Sequence, residues 1–212
     1  MSDAKALRAR QRGLTALQRH AAFFDTDGDG IITPEETAGR MRDLGVPAVI
    51  RAAFVPVVHA FLSRLTERKD SSISLERITL GKHAFDTGVY DSRGEVDEQA
   101  FEALFARGGA AGAPCVTRKQ MRAIIRARGD RDRRYGRFGA VMGYLFSGIE
   151  VWILYVLAHD AEKREGFFYR PALTRRRLRS FYEGHLFFAL ERRTRMRRAG
   201  VHLPKGKARR YD

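Results

Sequence analysis

The chain has 212 residues, of which 44% are hydrophobic, enough to fill one domain of ordinary size or two small ones sharing a core. Lys and Arg number 40 against 25 Asp and Glu, a formal net charge of +15. The basic runs after Tyr169 are therefore expected either to meet an anionic membrane or to form a solvated tail. They contain no RNP, zinc-finger or helix-turn-helix pattern, so nucleic acid is not the expected partner.

Helical patterns separated by Gly-rich turns run along most of the chain and predict a mainly α fold. The N-terminal sequence MSDAKALRARQRG lacks the apolar stretch of a secretory signal, and the single Cys115 excludes an internal disulfide, so we expect a cytoplasmic location. The predicted boundaries are a basic extension at 1–13, a domain at 14–190 and a basic tail at 191–212, with the domain divided into an EF-hand (14–45), an amphipathic connector (46–82) and a helical region (83–190).

The first element of the domain is a helix–loop–helix whose loop, Asp25 to Glu36, has the sequence DTDGDGIITPEE. Calcium takes about six to eight oxygen ligands, so the chain must wrap around the ion, and Gly30 at the sixth position permits the sharp turn. The flanking apolar residues recur at helical spacing, which supports the assignment. The predicted calcium ligands are Asp25, Asp27, Asp29, the backbone carbonyl of Ile31, Thr33 directly or through water, and both carboxylate oxygens of Glu36.

An EF-hand loop is expected to pair with a second loop, because its short strand leaves unpaired backbone groups. Two degenerate loops are candidates, centred on Gly94 and Gly166, and neither has the carboxylates to hold calcium. They would place Val96 or Phe168 opposite Ile32. The predicted fold class is therefore mainly α, with a calcium-binding EF-hand packed against pseudo-EF loops.

Further helices are predicted along the chain. Residues 48–65 are apolar but interrupted by Pro56 and charged residues, which predicts a kinked amphipathic helix. A helix is expected from Glu98 to Ala106, and Thr117 is a plausible N-cap for the next one. Residues 138–158 carry one charge, Glu150, in 21 residues. That segment has the length to span a bilayer, but the cost of Glu150 in lipid favours a long core helix.

His20 is three residues after Leu17 and four before Phe24, so it should lie on the inward face of the first EF-hand helix. A single inward histidine is more often a core residue with a hydrogen-bond partner than a ligand. His83 lies in a Gly-punctuated segment and carries no signal of its own. The residues alone therefore leave both histidines open between structural and functional roles.

The segment LQRHAAFFDTDGDGIITPEET, followed by KHAFDTGVYD, resembles the caleosins, calcium-binding haem peroxygenases of lipid droplets. MRDLG, GIEVWILYVLAHD and FYEGHLF extend the resemblance in the same order over residues 14–190. It implies two cofactors, calcium and haem b, with the family's haem-associated histidines at His20 and His83. His20, in the helix before the calcium loop, and His83, in the haem-containing region 83–190, are accordingly the predicted catalytic residues.

The implied activity is hydroperoxide-dependent oxygenation of unsaturated fatty acids or related lipids. The alternative is a non-catalytic, calcium-dependent adaptor for a lipid or membrane surface. Plant caleosins carry a long apolar hairpin with a proline knot between the EF-hand and the second histidine, and residues 46–82 lack it. A soluble protein, or one peripheral to membranes or lipid droplets, is therefore expected. Cys115 as a thiolate ligand of the haem is a further alternative.

Overall fold

A computed structural model describes residues 11–82, 86–107, 113–129, 136–165, 167–201 and 209–211. As predicted, the fold is mainly helical. The described residues form eight α-helices, α1 (Ala16–Ala21), α2 (Pro34–Asp43), α3 (Ala48–Leu65), α4 (Glu98–Arg107), α5 (Arg118–Gly129), α6 (Gly136–Ala158), α7 (Arg175–Tyr182) and α8 (Leu186–Arg198), and a 3₁₀ turn at Ile78–Gly81.

Two small sheets accompany the helices. The first has two antiparallel strands and the second has four, in the order β3-β5-β4-β6, with β6 parallel to β4. The strands are β1 (Ile31–Ile32), β2 (Ile73–Ser74), β3 (Cys115–Thr117), β4 (Ala161–Glu165), β5 (Phe168–Thr174) and β6 (Arg209–Tyr211). The four-stranded sheet was not predicted from the sequence.

The calcium loop pairs with a loop between α3 and the 3₁₀ turn. In the two-stranded sheet Ile32 of β1 lies opposite Ile73 of β2. Aligning these two isoleucines places Thr66 at the first position of the second loop and Arg77 at the twelfth. The expectation of a degenerate partner loop is confirmed, but the partner is the loop 66–77.

The predicted identity of the partner loop was wrong. Val96, one residue expected opposite Ile32, forms an isolated bridge with Tyr90. Phe168, the other, belongs to β5 and lies opposite Glu165 at the end of a β-hairpin. Both loops are local structures elsewhere in the domain, so neither pairs with the calcium loop.

The second half of the chain repeats the arrangement of the first. Across β3 and β5, Val116 lies opposite Leu173, as Ile32 lies opposite Ile73. Each of these four residues precedes a Ser or Thr whose hydroxyl caps the following helical segment. The backbone N–H to Oγ pairs are Glu36 to Thr33 at 3.2 Å, Arg77 to Ser74 at 3.4 Å, Gln120 to Thr117 at 3.4 Å and Arg177 to Thr174 at 3.3 Å. The chain is thus built from two pairs of EF-hand-like units, and the predicted capping role of Thr117 is confirmed.

Arginine side chains pair with aspartates in two of the degenerate units. In the loop 66–77, Arg68 donates to Asp70 Oδ2 at 2.6 Å and to Ser72 Oγ at 2.9 Å. After α6, Arg177 Nε lies 3.7 Å from Asp160 Oδ2. In each of these units a guanidinium neutralises an aspartate.

The two long apolar helices each bury one face. α3 runs without interruption through Pro56 and buries Val58 and His59. α6 confirms the helix predicted at 138–158 and buries Leu154 and Tyr155 in the main core. Among the described residues, α3 is the helix with the length and apolar composition to cross a membrane, criteria that a core helix also meets.

Candidate functional site

Three aspartates of the calcium loop come together as the sequence predicts. Ligand oxygens of Asp25, Asp27 and Asp29 lie within 4.8 Å of one another. Backbone N–H groups fix the first of them, because Gly28 and Gly30 donate to the two carboxylate oxygens of Asp25 at 2.8 and 3.1 Å. The loop therefore presents a converging set of hard oxygen donors, the chemistry that calcium prefers.

Glu36 closes the loop at its far end. Its Oε1 accepts a hydrogen bond from Thr26 N at 2.7 Å, and its Oε2 accepts one from Thr33 N at 2.9 Å. The Thr33 hydroxyl donates to Oε2 at 3.0 Å and accepts from Glu36 N at 3.2 Å. The two backbone-to-side-chain bonds between Thr33 and Glu36 form a capping box for α2. The predicted ligand roles of Glu36, Thr33 and the Ile31 carbonyl remain predictions.

The electrostatics of the loop favour a bound cation. Burial, opposed by the hydrogen bonds from Gly28 and Gly30 and assisted by repulsion from Glu36 and Asp29, raises the pKa of Asp25. Burial acts in the same direction at Glu36, but its hydrogen bonds with Thr33, Thr26 and Asp27 lower the pKa of that carboxyl overall. A divalent cation would relieve the repulsion that raises the pKa of Asp25.

A buried histidine that sequence reasoning missed connects the calcium loop to its partner loop. His59 of α3 is 1% exposed, and its Nδ1 lies 2.7 Å from the carbonyl oxygen of Ser71. Since a carbonyl can only accept, Nδ1 carries the proton and Nε2 accepts from the Thr37 hydroxyl at 2.9 Å. Burial lowers the pKa of His59, consistent with this neutral form.

A mostly apolar cavity of about 300 Å³ lies beside the calcium loop. Its walls come from both sides of the EF-hand and from α3, α5 and α6. The residues before the loop that line it are Leu17, His20, Ala21 and Phe24, and those after the loop are Thr37, Met41 and Leu44. The EF-hand helices thus form one wall of a chamber suited to an apolar ligand.

His20 faces this cavity, as its predicted inward position requires. Its Nδ1 lies 3.0 Å from the carbonyl oxygen of Phe181, and its ring packs edge-on against the Phe181 ring with centroids 4.6 Å apart. Because Phe181 O can only accept, Nδ1 carries the proton and Nε2 keeps its lone pair. Burial lowers the pKa of His20, which favours the neutral imidazole that a metal ligand requires.

These features fit a haem on the His20 side. The ring is oriented by a backbone carbonyl at one nitrogen, the usual arrangement for a metal-ligating histidine. The other nitrogen has no hydrogen-bond partner among the described residues. The surrounding wall is predominantly apolar, as a macrocycle and a lipid chain would need.

The two other candidate haem ligands are His83 and Cys115. His83 lies outside the described residues, although Lys82 and Asp86, the nearest described residues on either side, line the cavity. Cys115 is fully buried in β3 against Ala161 and does not line the cavity. Burial raises the pKa of the Cys115 thiol, which disfavours the thiolate that a haem ligand would need.

Glu150 of α6 also lines the cavity, and its role was not foreseen. The residue is exposed by accessible surface, although its position in the cavity wall removes the carboxyl group from bulk water. Two effects raise the pKa of Glu150 to about 8: mainly removal from bulk water, and to a smaller extent repulsion from Asp86. Asp86 itself is paired with Arg128 at 3.1 Å. In the sequence, Glu150 stands out as a single charge in a long apolar run. An ionisable group is costly in such surroundings and often marks a functional position.

Comparisons with known proteins identify the family of the chain. A probable peroxygenase 4 of Arabidopsis thaliana is 27% identical over 191 residues, which cover 88% of this chain and 90% of the relative. A peroxygenase of Lilium longiflorum is 25% identical over 189 residues, covering 84% and 71%. No solved structure matches the chain. A family profile described as caleosin-related protein matches residues 12–191, and the chain therefore belongs to the caleosin family.

Proposed function

We propose that this protein is a calcium-binding haem peroxygenase that uses a hydroperoxide to oxygenate unsaturated fatty acids or related lipids. The observation that carries the proposal is the His20 ring, which lines the apolar cavity and whose Nδ1 is held by Phe181 O, so that Nε2 keeps its lone pair. The family and its distant peroxygenase relatives support the same chemistry.

In this proposal His20 would hold the haem through its unprotonated Nε2, and His83 would act as a second ligand or in proton transfer, as the resemblance implies. The haem, when bound, supplies an iron that mediates transfer of one oxygen atom from the hydroperoxide to the lipid. The hydroperoxide ROOH leaves as the alcohol ROH, and its terminal oxygen is added to a C–H or C=C bond of the lipid. Apolar walls such as Phe24, Leu154 and Phe187 would hold the chain and exclude water.

Transfer of the terminal oxygen of ROOH also requires that its proton move to the oxygen bonded to R, so that ROH can leave. Glu150 borders the same cavity as His20 and has a pKa of about 8. A carboxyl group with a pKa near the working pH can both accept and return a proton. We assign Glu150 this acid–base role, alone or together with His83.

The experiment starts with protein produced with an adequate haem supply. Wild type should show a Soret band and convert oleic acid when cumene hydroperoxide is added. His20→Gly should lose the band, and imidazole added to the buffer should restore it by entering the space that the ring leaves. His185→Ala is the matched control, because His185 is exposed and lies outside the cavity lining. A normal Soret band and full turnover in His20→Gly without imidazole would disprove the assignment.

The second candidate is a non-catalytic lipid adaptor, which the apolar lining of the cavity would also suit. In that case His20 is a core residue that positions α1 through Phe181. Fluorescent fatty-acid binding without any Soret band in haem-supplemented protein would favour the adaptor. A Soret band that requires His20 would exclude it.

A further inference from the structure

A β-hairpin projects from the fourth EF-hand-like unit. Its strands β4 and β5 pair from Ala161 opposite Ala172 to Glu165 opposite Phe168. The base of the hairpin is anchored, because Ala161 and Ala172 are fully buried. In the calcium loop Thr33 follows Asp25 by eight positions, whereas Thr174 follows Asp160 by fourteen, so this unit is six residues longer. The hairpin is an insertion that the EF-hand-like fold does not need.

The tip of the hairpin exposes three consecutive aromatic residues. Phe167 is 94% exposed, Phe168 67% and Tyr169 40%. Single exposed apolar residues are ordinary, but adjacent phenylalanines at the end of an insertion present a compact apolar surface to solvent. Among the described residues the two phenylalanines are the most exposed of their type, and the domain core gains nothing from them. An external apolar partner accounts for their presence.

Cations surround this tip. The Arg170 guanidinium lies 5.7 Å from the centre of the Phe168 ring, and Arg210 of β6 lies 5.0 Å from that of Tyr169. Lys163 and Arg164 lie on β4 near the tip and are partly or fully exposed. The acidic Glu162 is engaged with Arg210 at 3.1 Å. Glu165, which lies opposite Phe168, adds a negative charge that the cations outnumber. The surface is therefore apolar at its end with a net positive charge around it, like a membrane-interface segment.

The directions of the aromatic side chains distinguish a lipid layer from single-stranded nucleic acid. Along a strand, successive side chains point to opposite faces, so Phe168 and Tyr169 lie on different sides of β5. A base-stacking platform needs its rings on one face of a sheet. Rings that point outward on both sides of a tip are instead all buried together when the tip enters a lipid layer.

We propose that the hairpin tip, Phe167 to Tyr169, inserts into the interface of an anionic lipid layer while Lys163 and Arg170 contact the lipid phosphates. This anchor is separate from the proposed haem chemistry, because none of these residues lines the cavity. It also differs from an apolar hairpin between the EF-hand and the second histidine, since it lies after α6. It would keep an enzyme with lipid substrates at the surface that contains them.

The first test is co-sedimentation of the full chain with vesicles of phosphatidylcholine and phosphatidylserine. Phe167→Ser/Phe168→Ser should reduce binding at least tenfold, because both inserted rings are removed. Leu80→Ser is the matched control, since Leu80 is also an exposed apolar residue, 50% exposed, outside the tip and the cavity. Wild type should bind pure phosphatidylcholine less well, and added salt should weaken its binding to the anionic vesicles.

The second test places a reporter at the tip. In a Trp152→Phe background, Phe167→Trp carries the only tryptophan, since the chain has one. Its emission should shift to shorter wavelength with anionic vesicles and be quenched by brominated lipid. An unshifted emission, or equal vesicle binding by wild type and the double serine variant, would overturn the proposal. The proposal would also be overturned if the double serine variant lost oligonucleotide binding or self-association but still bound vesicles. The tip would then bind another partner.

Discussion

The Thr37 hydroxyl donates to His59 Nε2 at 2.9 Å, and this bond joins the two EF-hand-like units of the first pair. Thr37 immediately follows Glu36, the residue that closes the calcium loop. On its other side His59 donates from Nδ1 to the Ser71 carbonyl of the partner loop. The calcium-binding loop is thus braced by a buried imidazole from a helix outside its own EF-hand.

We predict that His59→Ala weakens calcium binding and lowers the melting temperature. The substitution leaves the Ser71 carbonyl and the Thr37 hydroxyl without their buried partner, at a cost of about 1–3 kcal/mol. Isothermal titration calorimetry and thermal unfolding measure the two effects. Thr37→Val, which removes only one of the two hydrogen bonds, should show a smaller loss, and unchanged calcium affinity in both variants would contradict the bracing role.

The calcium loop should bind one ion, and Glu36→Gln should weaken that binding by roughly tenfold or more, because an anionic ligand becomes neutral. Saturating calcium should stabilise the wild type by about 2.7 kcal/mol at a hundred times the dissociation constant. Calorimetry gives affinity and stoichiometry together. Arg68→Ala is the control. It alters the degenerate loop 66–77, which should bind no ion, so its calcium stoichiometry should stay at one. Two bound ions in wild type would show that the loop 66–77 also binds calcium.

The sequence predicted the calcium loop well because its information is local. A single stretch of chain supplies Asp25, Asp27, Asp29 and the turn at Gly30, whose φ of 85° is the left-handed conformation that the motif demands. The inward direction of His20 followed equally from helical spacing on α1. Such features need no knowledge of what packs against them.

The sequence did not reveal the partner loop, because that loop lacks the glycine that EF-hand loops carry at the sixth position. In the loop 66–77 that position is Ser71, which adopts a φ of 59° without being glycine. Its carbonyl is held by His59 from α3, a contact that no local pattern reveals. The pairing of Val116 with Leu173 likewise joins residues far apart in sequence, so the four-unit architecture could not be read from either segment alone.

Glu150→Gln should change how stability depends on pH. The pKa of Glu150 is raised from 4.5 to about 8, so between these values the folded state binds more protons than the unfolded state. The free energy of unfolding of wild type should therefore fall as pH rises through this window, relative to that of Glu150→Gln. Urea unfolding of both proteins across this range tests it, and parallel pH profiles would contradict the raised pKa.

The same variant tests the acid–base role. Since the carboxylate form must accept the hydroperoxide proton, kcat/KM of wild type should rise with pH and level off above about 8. Glu150→Gln should be slow and lack this dependence, while its Soret band stays normal because Glu150 is not proposed as a ligand. Glu76→Gln is the matched control, because Glu76 is exposed and lies outside the cavity lining. A wild-type pH profile in Glu150→Gln would assign the proton transfer to another group.

Calcium and haem should be coupled through the first EF-hand. His20 is five residues before Asp25, and Phe24, the residue before that aspartate, lines the same cavity as His20. On the other side of the loop, Thr37 and Met41 line the cavity from α2. Without the ion, repulsion among the loop carboxylates should loosen both helices, so the position of the His20 ring should become less well defined.

Chelation of calcium should therefore shift or broaden the Soret band and lower the rate of fatty-acid oxygenation, and added calcium should reverse both changes. Calcium should also tighten haem binding. By reciprocity, haem should then tighten calcium binding by the same factor relative to the apoprotein. Glu36→Gln should show the chelated spectrum at calcium concentrations that saturate wild type, while His185→Ala should behave as wild type. Identical spectra, rates and calcium affinities with and without the other cofactor would refute the coupling, yet leave the His20 ligand and the calcium loop each to be judged by its own variant.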